Sequence, residues 1–363
     1  MVRRATRVGG RWAGVAAVAA LLLTAAACGG DEGDADASTT TAPDTTAAPD
    51  TTAAPEATDT FPVSVDHAFG TTVVPEAPQR VVSVGLTEQD MLLALGIEPV
   101  GVTEWYGEQP YAAWPWAVAA LGDAQPTVLV NADGFDLEGI AALDPDLIIG
   151  TNAGIDETSY QQLSAIAPTV AHAKGAEPYF SRWDEQSLLI GAAVGRSDAA
   201  QALIEGVHAR FDEAAAAHPE FAGASAVFLQ NAFYDGEAIA YQDGLSTAFL
   251  TDLGFSIPPS LDAFGDIDSG GQARIPLEQL SVLNDGDVLL WATESPDDRA
   301  ALEAEPLYGA LERVQDGRLV FTDGVTAGAI YFTSVLSLPY VIDKLVPALA
   351  ATLAGDGPQT ITG

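Results

Sequence analysis

The fold is limited most by a single break in an otherwise regular alternation. From Phe61 onward, short β-branched runs take turns with helical patterns: "RVVSVG" (80–85), "EQDMLLALG" (88–96), "DLEGIAAL", "DLIIGT" and "DETSYQQLSAI". Repetition of strand and helix builds parallel or mostly parallel α/β sheets. From Trp183 to His218 the chain reads as helix, interrupted only around Gly195. Within it Ala200, Leu203, Ile204, Val207, Phe211 and Ala214 recur at steps of three and four, while Asp198, Gln201, Glu205, Asp212 and Glu213 face away. At 1.5 Å per residue this segment spans about 30 Å, enough to cross between two lobes. The alternation resumes after Gly223 and closes on a helical 336–353. The expected architecture is therefore α/β, with two lobes of mostly parallel sheet (61–182 and 223–363) joined by a helical connector (183–222).

The two halves also resemble each other. "DLEGIAALDPDLIIG" starts at Asp136 and "PLEQLSVLNDGDVLLW" at Pro276; both carry Leu-Glu, a Leu five residues after the Glu, and an Asp opening an aliphatic strand. Two readings stand: a chance likeness between amphipathic helix-to-strand joints, or two related lobes that each expose one glutamate, Glu138 and Glu278. The second arrangement suits docking onto a two-fold symmetric partner.

The N-terminus has its own grammar. Arg3, Arg4, Arg7 and Arg11 precede an apolar run from Trp12 to Ala27, short of the roughly 20 residues of a membrane span, so 1–27 reads as a signal peptide. Ala25–Ala27 directly before Cys28 resembles a bacterial lipobox, although Ala25 stands where that pattern usually has Leu. The resemblance implies lipidation at Cys28 and attachment to the extracytoplasmic face of the cell membrane. Residues 28–60 are a Thr/Ala/Pro/Asp tether without apolar periodicity, expected to stay unfolded.

Composition excludes several functions. With 51 acidic residues against 14 basic ones and a net charge of −37, the chain is not built to hold a nucleic-acid backbone. One cysteine allows neither an internal disulfide nor a thiolate metal centre. His67, His172, His208 and His218 lack ligand spacing, and "DIDSGG" from Asp266 opens like a calcium loop but has Leu277 where a bidentate Glu belongs. No nucleophile elbow, Walker loop, HExxH or dinucleotide fingerprint occurs, so neither an enzyme nor a resident cofactor or metal is expected.

Taken in order, "FGTTVVPEAPQRVVSVG", "DMLLALGIEPVGV", "LEGIAALDPDLIIG", "YQQLSAIAPTV", the long middle helix, "PLEQLSVLNDGDVLLW", "GRLVF" and "LSLPYVIDKLVPAL" are similar to the periplasmic-binding-protein family that serves iron-siderophore, haem and cobalamin uptake through ABC transporters. The resemblance implies two lobes joined by one rigid helix, a cleft between them, a monomeric receptor, and an ABC permease dimer whose arginines meet one acid per lobe, here Glu138 and Glu278. It implies a metal chelate as ligand, a ferric siderophore first and haem or cobalamin next; a surface sensor or adhesion protein reusing the fold is the other class. A large, partly apolar chelate calls for aromatic faces and a few Arg, Tyr or Trp donors. The residues expected to supply them are Trp105, Tyr106, Tyr179, Arg182, Tyr234, Arg274, Trp291 and Tyr331, chosen at strand ends and loops. Trp114 and Trp116 read as a packed Trp-Pro-Trp element. The acidic surface favours a neutral or cationic chelate, such as a ferric hydroxamate, over a multiply anionic catecholate.

Overall fold

The computed structural model describes residues 58–104, 106–131, 134–265 and 271–362. The signal segment, Cys28, nearly all of the tether, Trp105 and the "DIDSG" stretch lie outside the described residues.

The first lobe opens with an antiparallel hairpin, β1 (Val63–His67) and β2 (Gly70–Val74). Five parallel strands follow: β3 (Val81–Ser83), β4 (Gly101–Glu104), β5 (Thr127–Val130), β6 (Leu147–Gly150) and β7 (Thr169–Ala171), in the order β5-β4-β3-β6-β7. Both faces of β3, β4, β6 and β7 are covered, while the edge strand β5 buries only Leu129. Val81, Leu147, Ile149 and Val170 enter one core, and Val82, Leu129, Ile148 and Ala171 enter another. Burial on both sides is why these strands read as continuous aliphatic runs instead of alternating ones.

The second lobe contains β8 (Ala226–Tyr234), β9 (Glu237–Tyr241), β10 (Gln272–Pro276), β11 (Val288–Ala292), β12 (Leu319–Phe321) and β13 (Gln359–Thr360), ordered β10-β9-β8-β11-β12-β13. This sheet is mixed. β8, β11, β12 and β13 run parallel, whereas β8-β9-β10 is an antiparallel meander. "YDGE" is a two-residue hairpin turn between β8 and β9, with Asp235 at φ 51° and Gly236 at φ 82°. Asp-Gly tolerates two successive positive φ values, which matches the twist of the flanking strands.

The helical stretch divides into Trp183–Ala193 and Ser197–Ala217. Ser197 does not cap the second helix; its hydroxyl donates to Asp59 at 2.6 Å and holds the incoming chain. The first helix packs on β1 and on the helix Glu88–Ala94, and the second packs on the first and on the closing helix Ser337–Ala354. One apolar core therefore runs from Val81 and Ile149 through Ile190, Ile204 and Phe211 to Trp291 and Leu349 and takes residues from both lobes.

The similarity between the halves is structural. The Glu138 helix (Leu137–Ala142) leads to β6, beside β3; the Glu278 segment (Leu277–Asp285), a run of 3₁₀ turns, leads to β11, beside β8. Asp146 accepts the backbone N–H of Gln79 and Arg80 at the start of β3, and Asp287 accepts that of Ser225 at the start of β8. Arg80 donates to the carbonyls of Leu143 and Asp144, and Arg313 to those of Asn284 and Gly286. Each lobe thus fastens the equivalent joint with the same two devices. Glu138 and Glu278 lie exposed in the first turn of their segments.

A second seam joins the lobes. Trp114 stacks on Trp116 at 5.1 Å and on Tyr106 at 5.7 Å, while Phe332 and Tyr340 from the second lobe close on the same ladder at 5.8 and 5.9 Å. Gly328 admits the Trp114 ring, since a Cβ there would lie 2.5 Å from it. Beneath the ladder, the buried Asp90 carboxylate accepts from the Trp116 indole at 2.7 Å and from Ser334 of the other lobe at 2.6 Å. Burial pushes its pKa up to about 6, against the pull of these two hydrogen bonds. A raised folded pKa means that the native state takes the proton before the unfolded chain does. Relative to Asp90→Asn, the wild type is expected to gain roughly 1 kcal/mol of stability between pH 7.5 and 5. Urea unfolding of both proteins at the two pH values measures this, and parallel curves would contradict it.

Candidate ligand cleft

The carboxyl ends of the parallel strands of both lobes converge on one cleft, where open α/β sheets place ligands. Its main cavity, about 400 Å³, is lined from the first lobe by Tyr106, Asn152, Tyr179 and Phe180, and from the second by Gln230, Tyr241, Gln272, Glu294 and Tyr331. An apolar extension of about 530 Å³ runs under Val84, Leu86 and Phe332 and shares Asn152, Tyr179 and Tyr331 with it.

Most wall residues are held by neighbours. Glu88, fully buried below the floor, accepts the backbone N–H of Thr87 at 3.0 Å and of Asn152 at 2.6 Å, which pins the loop carrying Asn152. Burial raises the Glu88 pKa, opposed by those hydrogen bonds. Tyr241 donates its hydroxyl to Gln230 Oε1 at 2.8 Å, leaving the Gln230 amide N–H groups as donors at the wall. The Tyr331 hydroxyl donates to the Ala292 carbonyl at 3.2 Å. From the opposite lobe Tyr106 donates to the Glu294 carboxylate. Burial pushes the phenols of Tyr106, Tyr179, Tyr241 and Tyr331 upward, with nearby carboxylate charge adding to it for Tyr106, Tyr179 and Tyr331, so all four stay neutral.

Of the expected contacts, Tyr106, Tyr179 and Tyr331 meet at this cleft. Trp105 lies outside the described residues, and the other four are elsewhere. Trp291 has no exposed surface; it packs edge-on against Phe233 and Tyr308 inside the second lobe, because β11 is a central strand flanked by β8 and β12. Arg182 spends its guanidinium on Asp184, with a 2.9 Å ion pair and a second bond at 3.0 Å. Tyr234 is 66% exposed beside the β8–β9 turn, lining a small separate cavity. Arg274 is on the edge strand β10, 3.6 Å from Glu237, and faces a different depression. Trp291, Arg182, Tyr234 and Arg274, expected at the cleft, therefore do not line it.

The residues missed were Asn152, Phe180, Gln230, Gln272 and Glu294. Glu294 had a readable signal in its place just after an aliphatic strand: the last residues of β11 belong to the core, and the loop just beyond them faces the cleft. Among the described residues, none that lines the main cavity or its extension is a lysine or arginine, and Glu294 is the single carboxylate.

The comparisons with known proteins agree with this geometry. The family model described as periplasmic binding protein matches residues 81–326. The chain belongs to that family. Within it, a putative ABC transporter substrate-binding lipoprotein of Bacillus subtilis (strain 168), YhfQ, is 30% identical over 278 residues, covering 72% of this chain and 81% of the relative. Among solved structures, a periplasmic solute binding protein from Mycobacterium smegmatis is 44% identical with a TM-score of 0.75, over 80% of this chain and 98% of that one. PiaA of Streptococcus pneumoniae, in complex with ferrichrome, is 26% identical with a TM-score of 0.69, over 81% and 99%. The family's two-lobe α/β architecture is the one described above.

Proposed function

We propose that the protein is a lipid-anchored receptor on the extracytoplasmic face of the cell membrane that captures a ferric hydroxamate siderophore and delivers it to an ABC permease dimer, with Glu138 and Glu278 as the docking acids. The observation that carries the choice of ligand is the wall chemistry: neutral phenols, amides and apolar faces, one carboxylate and no cation. A ferric hydroxamate is neutral or positively charged and presents acceptor oxygens that the Gln230 amide and the Tyr179 hydroxyl suit. A ferric catecholate carries several negative charges, and desolvating them beside Glu294 without a cation costs several kcal/mol per ion. The relatives named as lipoproteins and siderophore binders, and the ferrichrome complex of PiaA, support the class.

Quenching of tryptophan fluorescence tests the reading, because Trp114 stacks directly on the cleft residue Tyr106. Ferrioxamine B and ferrichrome are expected to quench at micromolar concentration or below, and ferric enterobactin, haem and cobalamin at least 100-fold more weakly. Preference for the catecholate, haem or cobalamin would sink the hydroxamate assignment.

A further inference from the structure

We propose that Glu294 sets the charge preference of the cleft by binding a positively charged arm of the ligand in the side cavity next to it. This rests on reading the cleft as a ferric hydroxamate site. A cavity of about 520 Å³ opens off the main one, and Tyr106 and Glu294 line both. Glu294 follows the end of β11 by two residues and receives the Tyr106 hydroxyl, so its carboxylate stands at the passage between the two spaces. The wall beyond it includes the stacked rings of Tyr106 and Trp114, whose faces attract cations.

Asn231 lines the same cavity, and its amide oxygen is buried without a hydrogen-bond partner. A buried acceptor lacking a donor carries a cost that a ligand N–H relieves. The other two acids here have structural work: Asp298 accepts the backbone N–H of Glu294 and Ser295, and Asp323 accepts that of Thr326. They add negative potential but are held by the backbone. A primary ammonium, with three N–H donors and no acceptor, matches this set of a carboxylate, an unpaired amide oxygen and ring faces. The iron chelate occupies the main cavity, and an alkyl chain of a few carbons carries the ammonium past Tyr106.

The test compares two ferric complexes that differ by one charge, ferrioxamine B and its N-acetyl derivative, titrated into wild-type protein and Glu294→Gln by tryptophan fluorescence. The wild type is expected to bind the ammonium form about tenfold more tightly, the usual worth of a charge-assisted hydrogen bond in a partly exposed site. In Glu294→Gln that ratio is expected to fall to about one. Equal affinities for the two complexes in the wild type, or a tenfold ratio surviving in Glu294→Gln, would overturn the role of Glu294 alone. Binding of neither complex to the wild type would overturn the hydroxamate reading together with this inference.

Discussion

Cells whose only copy of this receptor carries Glu138→Arg and Glu278→Arg together are expected to lose uptake of the iron chelate, while the purified variant keeps the wild-type Kd within twofold. Both carboxylates are exposed in the first turn of their segments, and neither lines the cleft, so charge reversal leaves the ligand site and the core untouched. Breaking one desolvated charge pair at an interface typically costs 2–5 kcal/mol, and reversal adds repulsion to that loss. Two such changes take transport down by a factor of a thousand or more. Radiolabelled iron uptake beside a fluorescence titration separates the outcomes. Weakened ligand binding in the variant would contradict the placement of these acids outside the cleft, and unimpaired uptake would remove them as docking points.

The second large effect concerns Trp114. It is almost wholly buried between Trp116, Tyr106 and Phe332, with its edge over Gly328 of the opposite lobe. Trp114→Ala is expected to cost about 3–5 kcal/mol, the usual range for emptying a large aromatic site that neighbours cannot refill. It also removes one of the two rings on which Tyr106 stacks, the other being Phe332, so ligand affinity is expected to fall at least tenfold. Urea denaturation and the same titration measure the two consequences. A stability loss below 1 kcal/mol would mean that the seam merely covers surface already secured by the helical core.

What the sequence revealed, and where it stopped, follows from the range of the interactions. The parallel strands, the helical break and the paired joints at Glu138 and Glu278 are local patterns, legible because each depends on neighbours within about ten residues. Even Asp146 and Asp287, noticed only as acids opening a strand, proved to fasten the strand alongside. The cleft was legible only as a region. Tyr106, Tyr179 and Tyr331 come together because loops from both sheets converge, but Trp291, at an equally plausible strand end, turns inward. A central strand has both faces covered, and periodicity does not say which loop residue emerges first. Gln230 and Gln272 were missed because they reach the cleft from β8 and β10 of the antiparallel meander, a pairing of distant residues that local periodicity does not report.

The core that runs unbroken through both lobes also bears on how the receptor is read by its transporter. Ile190, Ile204, Phe211 and Leu349 belong to one buried cluster that reaches into both of the lobes carrying Glu138 and Glu278. If the two acids are the docking points proposed above, packing shared by both lobes ties the distance between them to folding more than to cargo. A receptor of that kind would act as a fixed gauge, offering the permease the same two points empty or full. Discrimination would then fall to whatever the cargo presents at the mouth of the cleft, and vacant copies would compete for the same transporter.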